Sequence, residues 1–516
     1  MNSTPWYGSL SVIVLASILF PPLGLVLLWA RPGDSQKKVL GSIAIVAFGA
    51  VYLFGLSAAG ILPSIFVSNP NMEAHYDELE RHRAQQREAS PETATNPDGA
   101  AANGDATANS NAAVTTEAAA PTDAATGTAR RAYWTNYRGP DRAGRYEELA
   151  IRTNWPSEGL RPVWEQPVGG GWASFVVAEG TAFTIEQRKR QEVVAAYNIE
   201  TGREMWAHAW DADFRESQGG DGPRATPTWD EGRIYALGAT GELRCLDAKT
   251  GKRIWSRNIL TDNGADNLSW GMSGSPLIVD DKVIVLPGGR PGKSVAAYNK
   301  LTGAPAWKSL DDRQAYTSPM LVTLAGKRQI LVVTSNRAVG LEIENGSLLW
   351  EYPWTTSMGI NCSQPVMIDG NRFFISSGYG KGAALVKVTG DGQRFAAQTV
   401  WENSYMKNKF NSSVLYNGHL YGLDEGILTC VAAETGERKW KGGRYGYGQL
   451  LLAGDNLIVL TEEGDLVLVK ATPERHIEVS RFTALEGRTW NYPAIAGGRL
   501  LVRNATQMAC YNLLAE

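Results

Sequence analysis

Four stretches decide the fold: AYNIETGREMW (Ala196–Trp206), CLDAKTGKRIW (Cys245–Trp255), AYNKLTGAPAW (Ala297–Trp307) and CVAAETGERKW (Cys430–Trp440). The pattern is an apolar pair, an Asn or Asp in three of the four, Thr-Gly, and a Trp four residues after the Gly. A shortened copy runs from Leu341 to Trp350, a degenerate one from Leu385 to Trp401 and a weaker one from Leu468 to Phe482. With Trp164 as the incoming mark, the spacings are 42, 49, 52, 43, 51, 39 and 42 residues. That period belongs to propeller blades rather than to helical solenoids.

Two further marks recur in phase. An apolar strand precedes each unit, announced by Ser/Thr-Pro or a relative, as at Thr226-Pro227, Ser275-Pro276, Ser318-Pro319 and Tyr492-Pro493. A turn and a second β-rich run follow, as in VDDKVIVL and AGDNLIVL. Eight strand starts match eight units. Gly supplies the positive φ of tight turns, and Asn or Asp bonds back onto the turn backbone. The repeated Trp suits packing between adjacent sheets, where a large flat side chain is buried at low rotamer cost. Only three strands remain in the last unit, so the strand around Trp164 is expected to supply the fourth and close the ring. The fold class is therefore all-β: an eight-bladed β-propeller of four-stranded blades over 131–516.

The N-terminal portion is a different material. Leu10 to Ala30 is uncharged and long enough for a bilayer core of about 30 Å, although Pro21-Pro22 interrupts it. Val39 to Val67 is a second apolar run. Two transmembrane α-helices, about 10–30 and 39–67, make 1–70 a membrane anchor. The loop between them carries three basic residues and one acid, which places it in the cytoplasm and both termini outside. The propeller then lies on the periplasmic or extracellular side of a bacterial inner membrane. Residues 71–89 read as a charged, solvated juxtamembrane helix. Residues 90–130, rich in Ala, Thr and Asn, lack the apolar content to offset ordering entropy and read as a disordered linker spanning roughly 35 Å.

Composition excludes several classes. A net charge of −3 argues against nucleic acid as a partner. Four Cys and five His allow neither a disulfide scaffold nor a His-rich metal site. Cys245, Cys430 and Cys510 share one repeat position with Ala196 and Ala297, and so read as small core residues on different blades. No Gly-rich phosphate loop opens a helix.

These repeats resemble the quinoprotein-like (PQQ-repeat) eight-bladed propellers, from about Trp134 to the C-terminus. The opening Trp134-Thr-Asn-Tyr-Arg-Gly-Pro-Asp-Arg-Ala-Gly144 is similar to the lead-in of many bacterial PQQ-repeat proteins. The resemblance implies one of two functions. Non-catalytic relatives, such as the outer-membrane assembly lipoprotein of the Bam complex, bind protein partners by blade loops. PQQ-dependent dehydrogenases hold the quinone under an adjacent-cysteine disulfide ring, beside a Glu-Asn-Asp calcium site and an Asp base. This chain has no Cys-Cys pair and no acidic cluster at a matching motif. No cofactor, no metal and no catalytic residue is expected, and PQQ with calcium enters only in the dehydrogenase alternative. A monomeric propeller with an envelope protein or small ligand as partner is the leading expectation.

In such propellers the loops leading into the innermost strands converge on the channel mouth. Here they carry Trp172, Asp221, Arg224, Trp270, Tyr316, Asn361, Lys409, Asn411, Tyr447 and Trp490. Aromatics mixed with a few polar groups are what a binding site needs. The alternative is that these residues pack and solvate the loops, as at any channel mouth.

Overall fold

The structure is a computed structural model that describes residues 21–30, 36, 38, 39, 41–45, 70–88 and 133–515. Two compact units divide the chain: Met1–Pro70 with Glu216–Gly219, and Asn71–Arg215 with Gly220–Glu516. In the first, Pro21–Ala30 is helical and uncharged. Among the described residues no helix is long and apolar enough to cross a membrane. The greater part of both expected spans, 10–30 and 39–67, lies outside those residues, as does 90–130.

The second unit holds eight antiparallel blades. Two short strands come first, β1 (Arg145–Tyr146) and β2 (Pro162–Pro167), and both serve blades completed much later. Blade 1 is β3 (Val176–Ala178), β4 (Thr181–Arg188), β5 (Gln191–Asn198) and β6 (Glu204–Asp211), from the centre outward. β3 is buried throughout, whereas β6 alternates between inward and exposed residues, as an outer strand should. Blades 2 to 7 occupy 228–258, 277–309, 320–353, 366–403, 414–444 and 449–483. Blade 8 takes its three inner strands from 494–512 and its outermost from β2, with Trp164 opposite Cys510. The ring therefore closes as the repeat count requires.

The repeated Trp has one mechanical job. Its indole N–H donates to a backbone carbonyl of the next blade: Trp164 to Ile199 (2.8 Å), Trp206 to Ala248 (3.1 Å), Trp255 to Lys300 (2.9 Å) and Trp307 to Ile343 (2.9 Å). Trp401 and Trp440 do the same to Ala433 and Thr472. In five of these six the ring also covers a turn glycine of the next blade: Gly202, Gly251, Gly303, Gly346 and Gly436. A Cβ on Gly202, at φ +67°, would stand 2.5 Å from the Trp164 ring. Trp350 is the exception and donates to Gln329 Oε1 of its own blade. Cross-strand from the tryptophans of blades 2, 6 and 8 sit Cys245, Cys430 and Cys510, all buried and free.

Two segments depart from the repeat. Residues 134–146 run across the channel. Trp134 bridges Val177 of blade 1, Thr135 accepts from the Trp229 amide of blade 2, and β1 pairs in parallel with the inner strand of blade 7. Arg142, 2% exposed, donates to the carbonyls of Pro276 (2.5 Å), Pro319 (2.7 Å) and Ser275 (3.2 Å) in blades 3 and 4. Arg138, 1% exposed, reaches Ser413 O (2.8 Å) of blade 6 and lies over Tyr492 of blade 8. Two guanidiniums thus answer carbonyls that no strand can satisfy at the centre of a ring. The channel carries a plug.

The second departure corrects the solvated reading of 71–89. Pro70–Glu88 is a helix, but its face of Tyr76, Leu79 and Arg83 is buried against the closing seam of blades 8 and 1. Arg83 donates to Pro167 O (2.7 Å) at the end of β2 and lies 3.5 Å from Glu204 of β6. His82 and Gln86 meet Gln166 Oε1 at 2.6 and 2.7 Å. Asp77 and Glu80 pair with Lys189 at 2.9 and 3.0 Å, and Glu73 pairs with Arg215 at 2.7 Å. The charge density that suggests solvation is spent on specific partners.

Candidate functional site

The loops that enter the innermost strands build a rim opposite the strand-end turns. Trp172, Trp490, Phe410 and Tyr447 form one continuous ledge, with successive ring centroids 5.0, 5.1 and 5.2 Å apart. Trp270 and Tyr316 form a separate pair at 5.7 Å. All six are half-buried, so each ring keeps a partly open face. Offset aromatic contacts of this kind hold a ledge rigid without burying it.

Lys409 lies among the aromatics. Its Nζ is 4.5 Å from the Tyr447 ring centroid, 5.3 Å from Phe410 and 5.6 Å from Tyr379. The backbone of Lys409 comes so close to Gly378 that a Cβ there would sit 3.2 Å from Lys409 Cα. Burial pushes the thiol of Cys362 up to about 12, with Lys409 opposing the shift. Burial likewise raises the Tyr316 hydroxyl to about 12. The Tyr316 phenol and the Cys362 thiol are therefore neutral at physiological pH.

The other expected residues have other duties. Asn361 is buried, donating to Thr334 O (2.8 Å) and accepting from Ser377 Oγ (2.7 Å). Asn411 is also buried and accepts from Asn408 Nδ2 at 3.0 Å. Arg224 folds onto its own loop, donating to the carbonyls of Gly220 and Gly222 and lying 4.6 Å from the Phe214 ring centroid. Asp221 stands beside Tyr76 of the docked helix, and burial raises its carboxyl above the usual range. Of the ten residues named from the sequence, Trp172, Trp490, Tyr447 and Lys409 come together, and Trp270 with Tyr316 forms a second group. Phe410, Tyr379 and Glu462 were not foreseen. Phe410 follows Lys409 in the same loop, so its place was within reach, whereas Glu462 lies beyond a strand end of blade 7 and carries no repeat signal.

Glu462 accepts from Trp490 Nε1 at 2.9 Å and from the Tyr447 amide at 3.0 Å, so it holds two members of the ledge. With Glu462 committed to that role and Asp221 set against the helix, no acidic trio remains at the mouth. Among the described residues no group of three or more His, Cys, Asp or Glu could hold a metal ion. All four cysteines are free. The donor set present does not fit a calcium-held quinone.

Comparison with known proteins agrees with the architecture. The family described as outer membrane protein assembly factor BamB matches residues 189–442. The assembly factor BamB of Burkholderia pseudomallei is 23% identical over 355 residues, covering 59% of this chain and 86% of that protein. The 1-butanol dehydrogenase (cytochrome c) of Thauera butanivorans is 26% identical over 169 residues, 32% of this chain. The quinohemoprotein alcohol dehydrogenase ADH-IIG of Pseudomonas putida is 30% identical over 145 residues, 26% of this chain. The chain spans only 24% and 19% of those two enzymes. Among solved structures, BamB from Moraxella catarrhalis aligns with a TM-score of 0.50 at 17% identity, covering 69% of this chain and all of that one. The ADHIIG structure from Pseudomonas putida HK5 aligns at 0.54 and 14% identity, covering 74% and 81%. At these identities the structural likeness speaks for the fold alone.

Eight four-stranded blades, with indole-to-carbonyl bonds at six of their junctions, define a β-propeller of the PQQ-repeat kind. The repeats over 189–442 match that family's model.

Proposed function

We propose that this protein is a membrane-anchored, extracytoplasmic binding or scaffold propeller, non-catalytic, that engages an envelope protein or small ligand at its channel mouth. The observation that carries the reading is the Trp172–Trp490–Phe410–Tyr447 ledge with Lys409 beside it, over a channel plugged from behind. A rigid apolar ledge flanked by the cations Lys409 and Arg488 binds by stacking and charge. The similarity to assembly factors over most of their length supports a protein partner. The apolar runs 10–30 and 39–67 support two spans in a bacterial inner membrane, with the propeller on the periplasmic or extracellular side.

The test is a photo-crosslinking residue at Arg488, which is exposed and 4.9 Å from the Trp490 ring centroid. Crosslinks to an envelope protein that vanish in Trp490→Ala support the reading, and crosslinks unaffected by that change oppose it. The partial matches to alcohol dehydrogenases favour a second reading, a PQQ-dependent membrane dehydrogenase acting on an alcohol or sugar. Dye-linked alcohol or sugar oxidation by the purified chain, dependent on added PQQ and calcium, would establish it.

A further inference from the structure

The loop Val168–Trp172 has the docked helix on one side and the mouth on the other. From the helix, His75 Nε2 is 2.8 Å from Val168 O. Tyr76 is fully buried, and its hydroxyl fills the space beside Gly170, where a Cβ would come within 2.6 Å of it. Arg83 holds Pro167 O, one residue before the loop. From the mouth side, Asn491 donates to Gly171 O at 3.1 Å, and Trp172 meets Trp490 at 5.0 Å. The Trp172 amide also donates to Pro223 O at 2.8 Å. The loop lies between these two sets of contacts and is braced beneath by the Gly170–Gln187 bridge and by Arg503, which donates to Gly169 O at 2.7 Å.

We propose that the helix Pro70–Glu88 positions the mouth, with His75, Tyr76 and Arg83 seating the loop that presents Trp172 to the ledge. Docking of the helix and occupation of the mouth are then coupled. A ligand stacked on Trp172 and Trp490 favours the docked helix, and by linkage the docked helix tightens that ligand. The sequence supplies the means of release. The helix is held at its exposed side by charges, Asp77 and Glu80 to Lys189 and Glu73 to Arg215, which salt or a competing charged surface weakens. Tyr76 and Leu79 are its fully buried apolar anchors, with Met72 half-buried beside Gly170, so little apolar surface must be exposed for it to come off without unfolding a blade. The coupling to a ligand rests on the mouth being the binding site, but the positioning of Trp172 does not.

The experiment reads that positioning in the full chain without ligand. The protein is labelled with 5-fluorotryptophan, and the Trp172 resonance is assigned in the ¹⁹F NMR spectrum through Trp172→Phe. Helix release in Leu79→Asp is scored by trypsin cleavage after Arg81, Arg83 or Arg87. The expected result is a shift of the Trp172 and Trp490 resonances by more than a linewidth, with Trp255 and Trp440 unmoved. The charge reversal Asp77→Lys with Glu80→Lys touches exposed side chains only, and should produce the same displacement in smaller degree. A released helix with an unmoved Trp172 resonance overturns the proposal. Equal shifts of all four indoles also overturn it, because the helix would then serve general stability. A failure to bind any ligand at the mouth leaves these spectra unaffected and counts against the binding reading instead.

Discussion

The outer ring and the channel mouth both use tryptophan, and they use it differently. Around the ring six of the seven repeat indoles donate their N–H to a backbone carbonyl of the next blade, so position and partner repeat. At the mouth Trp172 and Trp490 meet ring to ring, and Trp490 spends its N–H on the side-chain carboxylate of Glu462. Backbone partners can be shared by every repeat, whereas side-chain partners are particular to one place. The proposed function assigns the ring to stability and the mouth to recognition. Four substitutions test that division.

The largest effect is expected from Trp255→Ala, which opens a cavity at a blade junction and removes one of the two donors, with the Tyr235 hydroxyl, to the Lys300 carbonyl. It should cost about 3–5 kcal/mol, read as a lowered midpoint in urea. Arg142→Met keeps the plug's bulk but removes the donor from the carbonyls of Ser275 and Pro319, costing about 3 kcal/mol. Both changes should leave mouth crosslinks in place wherever the chain stays folded. Glu192 offers a pH-dependent version. Burial pushes its carboxyl up to about 7, against the hydrogen bond from the Ala239 amide at 2.7 Å. Between the ordinary carboxylate range and about pH 7 the folded chain binds more protons here than the unfolded chain, so stability falls as pH rises through that window. Glu192→Gln should flatten this dependence in melts taken at pH 5 and pH 8, by up to about 3 kcal/mol. Lys409→Met lies at the small end: it should change the melting midpoint by less than about 0.5 kcal/mol in equivalent stability while weakening an anionic partner. A larger loss of stability there would blur the division.

Legibility followed the same line. Thr-Gly and Trp recur because every blade repeats the same turn and the same junction, so blade count, closure by β2 and the role of Cys245, Cys430 and Cys510 could be read from spacing. The plug was visible only as a lead-in, because Arg138 and Arg142 find their partners in blades more than a hundred residues away. The docked helix was hidden for a physical reason. Its buried face has just two apolar residues, and its third member is Arg83, whose charge is answered by Pro167 and Glu204. At the mouth, loop position identified Trp172, Lys409, Tyr447 and Trp490. It also promoted Asn361 and Asn411, which sit at the same loop positions yet turn inward to bond backbone and neighbouring amides. Loop position does not tell an inward amide from an outward ring.

The central claim, that the ring is structure and the mouth is recognition, is tested most directly by crosslinking from Arg488 beside a urea midpoint, for Trp255→Ala and Trp490→Ala in parallel. The account predicts that Trp255→Ala lowers the midpoint and keeps the crosslink, while Trp490→Ala abolishes the crosslink with a midpoint within about 1 kcal/mol of the parent. Loss of both properties together in both variants would contradict it.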